Sequence, residues 1–150
     1  MNVGKTYPLH LAAKAAQYKE REFRRQVNNG FFKLQGCDRA SAGSGDHIGY
    51  SRRRVLQAAT TKWPTNLGVS ISTASPAALR FSDEGQTGRA PGELFEHGKT
   101  ILVIGPDGAT VKNVAFDASL AEVSKRDVCT ITVHLDKVVE QIEAVLNTIS

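Results

Sequence analysis

The chain has 150 residues and a mass of 16.2 kDa, the size of one domain, and a compact fold of that length buries about 68% of the extended chain's surface. Leu, Ile, Val and Phe make up 37 residues, which excludes a globally disordered chain. A net charge of +4 and a pI near 9.2 permit a polyanionic partner without requiring one. No apolar run reaches the roughly 18 residues of a membrane span, and the first ten residues show no basic-then-apolar leader, so a soluble, unprocessed, intracellular protein is expected. Two cysteines, Cys37 and Cys129, are too few for a disulfide scaffold and read as free thiols.

Charge is divided unevenly. Residues 1–75 hold 12 Lys and Arg against four Asp and Glu, a balance of +8, which leaves −4 for the second half. Apolar residues lean the other way: 19 of the 37 lie between Ile101 and Ile149. This asymmetry predicts a basic N-terminal arm over residues 1–66 and a denser module over 67–150.

Along the arm, Pro8 suits a helix start and Asn28-Asn29-Gly30 a helix stop. Between them Leu9, Ala12, Ala13, Ala16, Phe23 and Val27 recur at helical spacing, predicting one amphipathic helix whose back carries Lys14, Tyr18, Arg21 and Arg25. Phe31 to Gln35 reads as a short strand, and Gly36 to Tyr50 as a Gly/Ser-rich loop anchored by Ile48. Ser51 is placed to cap a second helix beginning Arg52-Arg53-Arg54 and ending before Pro64, because the residue ahead of a proline avoids helical geometry.

Val69 and Ile71 alternate with Ser70 and Ser72 as a weak strand, and Ser82 to Gly98, with four glycines and Pro91, reads as a second long loop. Ile101–Ile104 and Thr110–Phe116 flank Pro106-Asp107-Gly108, in which proline presets φ and glycine accepts a positive φ, so a hairpin is predicted. Asp117 to Arg126 is a polar interval with room for one helical turn capped by Ser119. Cys129, Ile131, Val133 and Leu135 then alternate with polar residues as a third strand. Asp136 is placed to cap a last helix with Val138, Val139, Ile142, Val145, Leu146 and Ile149 on one stripe. The expected fold is α+β: a small antiparallel sheet covered by a C-terminal helix, with an extended helical basic arm.

Enzyme signatures are approached and missed. Gly98-Lys99-Thr100 ends like a phosphate-binding loop, but Gly92 lies one residue too far upstream and Thr100 opens a strand where the motif needs a helix. Gly43-Ser44-Gly45-Asp46-His47 collects hydrolase residue types without the spacing of a nucleophile elbow. Neither Glu93, Glu96 and His97 nor Cys37 and Asp38 with Asp46 and His47 has the paired short spacings of a zinc site. His10 and His134 read as surface or interface groups. Asp107, Asp117, Glu122 and Lys125 lack the strand spacing of a nuclease. No catalytic residue, metal or cofactor is expected.

The basic residues carry more. Lys14, Tyr18, Arg21, Arg25, Arg52, Arg53 and Arg54 are the candidate contacts, either to neighbouring subunits or to phosphates, with Tyr18 able to stack on a base. The leading expectation is a non-enzymatic assembly subunit of a multimeric particle, with a virus or phage coat, decoration or tail-neck protein as its setting. Its partners would be copies of itself and other particle proteins, with long loops ordered by neighbours. The alternative is a DNA- or RNA-binding protein using the arginine-bearing helices. A hydrolase or nuclease ranks last.

Overall fold

The computed structural model describes residues 4–40, 47–115 and 129–148. Pro8, extended at φ −71° and ψ 163°, leads into α1 (Leu9–Ala16), and its carbonyl accepts the first helical hydrogen bonds from Leu11 and Ala12. The predicted continuous helix stops there. Gln17 turns left-handed at φ 62°, the Tyr18 amide donates back to Ala13, and α2 (Glu20–Asn28) starts three residues on. Tyr18 supplies the reason. A continued helix would hold its ring on the outer face beside Lys14, whereas the turn sets it edge-on to Phe23 and Phe32, with ring centroids 6.2 and 5.7 Å away. Covering an aromatic ring is worth about 1.5–3 kcal/mol against about 1–2 for one left-handed residue, so the broken helix wins.

Phe31 and Phe32 form a turn, and Lys33 to Gln35 continue without regular structure where a strand was expected. Phe32 is fully buried against Phe23, and the amides of Phe31 and Phe32 are satisfied by the Gln26 carbonyl. Arg39 and Gly49 then pair antiparallel, and β1 (Thr6–Tyr7) pairs with β2 (Tyr50–Ser51). Ser51 caps α3 (Arg52–Asn66) by accepting from the Arg54 amide at 3.2 Å. The helix runs through Pro64, which was expected to end it. Only Thr65 and Asn66 follow the proline, and the Leu67 and Gly68 amides close the end on the Pro64 and Thr65 carbonyls.

The weak strand at 69–72 is instead the entry to α4 (Ile71–Ser82). Ala74, Ala77, Ala78 and Phe81, spaced as one helical face, are buried, and that periodicity outweighs four alternating residues. The following loop is pinned from within the chain. Buried Arg89 donates to the carbonyls of Arg80 at 3.0 Å and Phe81 at 3.1 Å, which caps α4, and Gly92 donates to Phe81 at 2.9 Å.

The predicted hairpin is present as β3 (Lys99–Gly105) and β4 (Gly108–Val114), and β5 (Ile131–His134) adds on the other side of β3, giving the antiparallel order β4-β3-β5. His134, rather than Asp136, precedes the last helix, α5 (Leu135–Leu146); the Asp136 carboxylate accepts from the Thr100 amide at 2.8 Å and ties helix to sheet. Phe116, the turn expected at Asp117–Arg126 and Ile149 lie outside the described residues. The fold is α+β. A single apolar cluster takes Leu11, Ala12 and Phe23 from α1 and α2, Val55 and Leu56 from α3, Leu102 from β3, and Leu135, Ile142 and Leu146 from α5. The helices expected to form an extended arm therefore pack into the same core as the C-terminal module. Among the described residues, no helix is long and apolar enough to cross a membrane.

Candidate nucleic-acid interface

α1 and α2 are joined by the three-residue turn Gln17–Lys19. Small Ala12, Ala13 and Ala16, all buried, let the backbone of α1 sit close to its neighbours, and α2 is anchored inward by fully buried Phe23 and by Gln26. That anchoring sets the other face outward. Arg21, Arg24, Arg25 and Asn28 follow one another at i, i+3, i+4 and i+7, and all four are exposed. Nine residues at about 1.5 Å each give a rod of about 13 Å. Lys19 extends this cationic face at the N-terminus of α2. Of the acids on the helix, Glu22 meets Arg25 at 3.5 Å in an exposed pair of small energetic worth, and Glu20 lies beside the second groove described below.

Two open grooves flank α2. One, of about 600 Å³, is lined by Lys19, Arg21, Glu22, Arg24, Arg25, Asn28 and Asn29. The other, of about 650 Å³, lies between α2 and the start of α1 on one side and His47, Ile48 and Tyr50 on the other, so Arg24 and Asn28 face both. Opposite α2 two segments of the chain are held as a narrow ribbon by one isolated antiparallel bridge: Arg39 and Gly49 exchange both backbone hydrogen bonds at 2.7 Å, and the Arg39 guanidinium donates to the His47 carbonyl at 2.6 Å.

The root of the ribbon is held by a buried polar network. Asp38 accepts from the Ser51 amide at 2.8 Å, the Ser51 hydroxyl at 2.7 Å, the Gln35 amide at 2.8 Å and Arg54 Nε at 3.1 Å. Arg54 also grips Asp83 with a two-pronged contact, Nη1 to Oδ1 at 3.1 Å and Nη2 to Oδ2 at 2.8 Å. Burial by itself lowers the guanidinium's pKa, but the hydrogen bonds and charges of Asp83 and Asp38 outweigh it and the net shift is upward. Gln57 accepts from Arg54 and donates to the Phe31 and Ser75 carbonyls, both at 3.2 Å. One network thus joins the ribbon, α3, α4 and the turn after α2.

The seven candidate contact residues separate. Arg21 and Arg25 share the outer face of α2, and Lys14 is exposed on α1. Tyr18 does not join them: it packs inward, with Lys62 Nζ 4.5 Å from its ring centroid, and burial first and the Glu22 charge second raise its pKa. Of the arginine run, Arg54 is fully buried and closed to any partner, and Arg52 donates to Glu143 at 2.9 Å and to the Gly92 carbonyl at 2.8 Å. Arg53 is half-buried. Arg24 and Asn28 were missed. Their signal was the i, i+3, i+4, i+7 spacing with Arg21 and Arg25, obscured by carrying the phase of α1 through the turn.

The other motifs resolve as follows. Lys99 and Thr100 open β3, with the Thr100 hydroxyl accepting from the Phe95 amide at 2.9 Å. Cys37 Sγ lies 3.3 Å from the Ser51 hydroxyl, and Asp107 sits in the hairpin turn. Residues 43–46 of the Gly/Ser/His stretch, and Asp117, Glu122 and Lys125, lie outside the described residues. No group of three or more metal-ligating side chains occurs among the described residues. No known family model matches the chain, and no curated protein matches it.

Proposed function

We propose that this chain is a non-enzymatic protein that binds double-stranded DNA, with α2 as the helix that enters the major groove. The observation that carries the reading is the exposed face of α2, the second of two helices joined by a three-residue turn, on which Arg21, Arg24, Arg25 and Asn28 stand outward together; a helix-turn-helix reader presents its second helix in this way. A rod of α2's width fits a groove of about 12 Å, where arginine pairs with guanine and asparagine with adenine through two hydrogen bonds each. Lys19, exposed at the N-terminus of α2, adds a further cation beside this face and supports the reading. DNA is favoured over RNA because the major groove of an RNA duplex is too narrow and deep to admit a helix.

The particle-subunit reading leaned on opposite-sign halves, a basic arm reaching onto neighbours and two long loops; α1 and α3 pack into the core, and Arg89 pins the Ser82–Gly98 loop from within the chain, which weakens the arm and that loop as its support. A role in assembly keeps the opposite charge of the two halves and, among the described residues, gains the exposed side chains of Trp63 and Leu67.

The reading is tested by titrating the protein into labelled DNA and RNA duplexes of the same sequence pool. Selective retention of DNA, lost in the variant Arg21→Glu/Arg24→Glu, is the expected result. Equal retention of both duplexes, or DNA binding that the charge reversal leaves intact, would rule it out.

A further inference from the structure

We propose that the groove between the first turn of α1, α2 and the His47–Tyr50 segment is a binding site for a phosphate group, carried by a small phosphorylated molecule or by a nucleic-acid backbone. Tyr50 is 2% exposed, yet it lines this groove of about 650 Å³. Its ring stands edge-on to Phe23 at 5.0 Å, and its hydroxyl has no hydrogen-bond partner among the described residues. A buried polar group left without a partner forfeits a hydrogen bond that a ligand can supply. Burial raises the pKa of the phenol, and the opposing influence of Arg24 does not reverse the shift, so the group keeps its proton and can donate it.

The groups around Tyr50 also donate. α1 begins at the groove without a side-chain cap and with no acid in its first turn. The Leu9 and His10 amides find no acceptor among the described residues, and they carry the partial positive charge of a helix N-terminus. Arg24 lines the same groove with no ion pair among the described residues, and Asn28, His10 and His47 each bring an N–H. Glu20 is the one carboxylate on the lining. Donors and a guanidinium facing one cavity select an anion with several acceptor oxygens, and a tetrahedral phosphate offers them. The volume also admits the group that carries the phosphate. The site stands on these residues and does not rest on the DNA reading.

Inorganic phosphate titrated into the full chain at low salt, followed by amide NMR, tests the site. Saturable binding is expected, with the Leu9 and His10 amides among the resonances that move. Tyr50→Phe keeps the ring and removes a hydroxyl that bonds nothing in the fold, so it is expected to retain the melting temperature and to weaken phosphate binding about tenfold. Arg24→Ala is expected to weaken it at least as much, and Glu20→Gln, which removes the opposing charge, to tighten it about threefold. No saturable binding, shifts that avoid the first turn of α1, or an affinity that Tyr50→Phe and Arg24→Ala leave unchanged would overturn the proposal.

A labelled DNA duplex separates the two sources. Tyr50→Phe weakening both duplex and inorganic phosphate upholds the site and assigns it to a backbone phosphate. Weakening of inorganic phosphate alone upholds it and assigns it to a small phosphorylated molecule. The two readings fail separately: a chain that binds phosphate here but no duplex removes the DNA reading alone, and a chain that binds duplex through α2 but no phosphate removes this site alone.

Discussion

Three consecutive arginines have three different surroundings. Arg52 spans to Glu143 and the Gly92 carbonyl, Arg53 is half-buried, and Arg54 disappears into the interior between Asp38 and Asp83. Removing one member of a buried ionic network leaves the others charged and unsolvated, so Arg54→Ala is expected to cost about 3–5 kcal/mol in urea unfolding. Arg25→Ala, at an exposed position, is expected to change stability by no more than about 0.5 kcal/mol while weakening DNA binding. An Arg54→Ala protein with the wild-type urea midpoint would contradict the role given to the network. Tyr18 makes a prediction in pH. Its pKa is raised in the fold above the ordinary value of about 10, first by burial and then by Glu22, so the unfolded chain gives up this proton first as pH rises. Its contribution to stability is complete below about pH 10 and is lost as pH climbs beyond it. In Tyr18→Phe the alkaline fall in the urea midpoint is expected to be shallower; an unchanged alkaline limb would contradict the inward placement of the ring.

At the scale of elements, the turn between α1 and α2 decides what α2 displays. Gln17 holds a left-handed conformation that glycine adopts without a steric penalty, so Gln17→Gly is expected to raise stability by up to about 1 kcal/mol, read from the urea midpoint. A loss would mean that the Gln17 side chain contributes more than its backbone costs. Gly49 is constrained by space: a Cβ there would meet Thr6 Oγ1 at 2.5 Å and Thr6 Cβ at 2.8 Å. Gly49→Ala is expected to loosen the ribbon against β1 at about 1–3 kcal/mol and to lower DNA affinity, checked by melting and titration side by side. The hairpin, the third strand, the last helix and the Ser51 cap were legible because each is encoded locally, by a turn tripeptide, an alternation or a cap. The break at Gln17 was not, because the apolar positions of α1 and α2 continue at helical spacing across it, and only the aromatic cluster of Tyr18, Phe23, Phe32 and Tyr50 explains it. The burial of Arg54 was likewise hidden. Its partners lie 16 and 29 residues away, and nothing within the run Arg52-Arg53-Arg54 distinguishes the third arginine from the first two.

For the whole molecule, the imbalance between a +8 half and a −4 half has two destinations. Part of the positive charge is neutralised inside the fold, by Asp38 and Asp83 at Arg54 and by Glu143 at Arg52. Four further cations, Lys19, Arg21, Arg24 and Arg25, stand on α2 and at its N-terminus beside Glu20 and Glu22, on a surface set outward by Phe23 and bordered by the ribbon. The core that unites α1, α3 and α5 also takes Phe23 of α2, which holds that surface against the body of the fold. The account turns on whether α2 reads duplex DNA. The most direct measurement is the affinity of a labelled DNA duplex at a series of salt concentrations, for the wild type and for Arg24→Ala. The account predicts that log Kd rises with log salt at about 0.9 per phosphate engaged, and that Arg24→Ala binds about tenfold or more weakly with an unchanged melting temperature. No binding at the lowest salt, or a binding constant that neither salt nor Arg24→Ala alters, would contradict it.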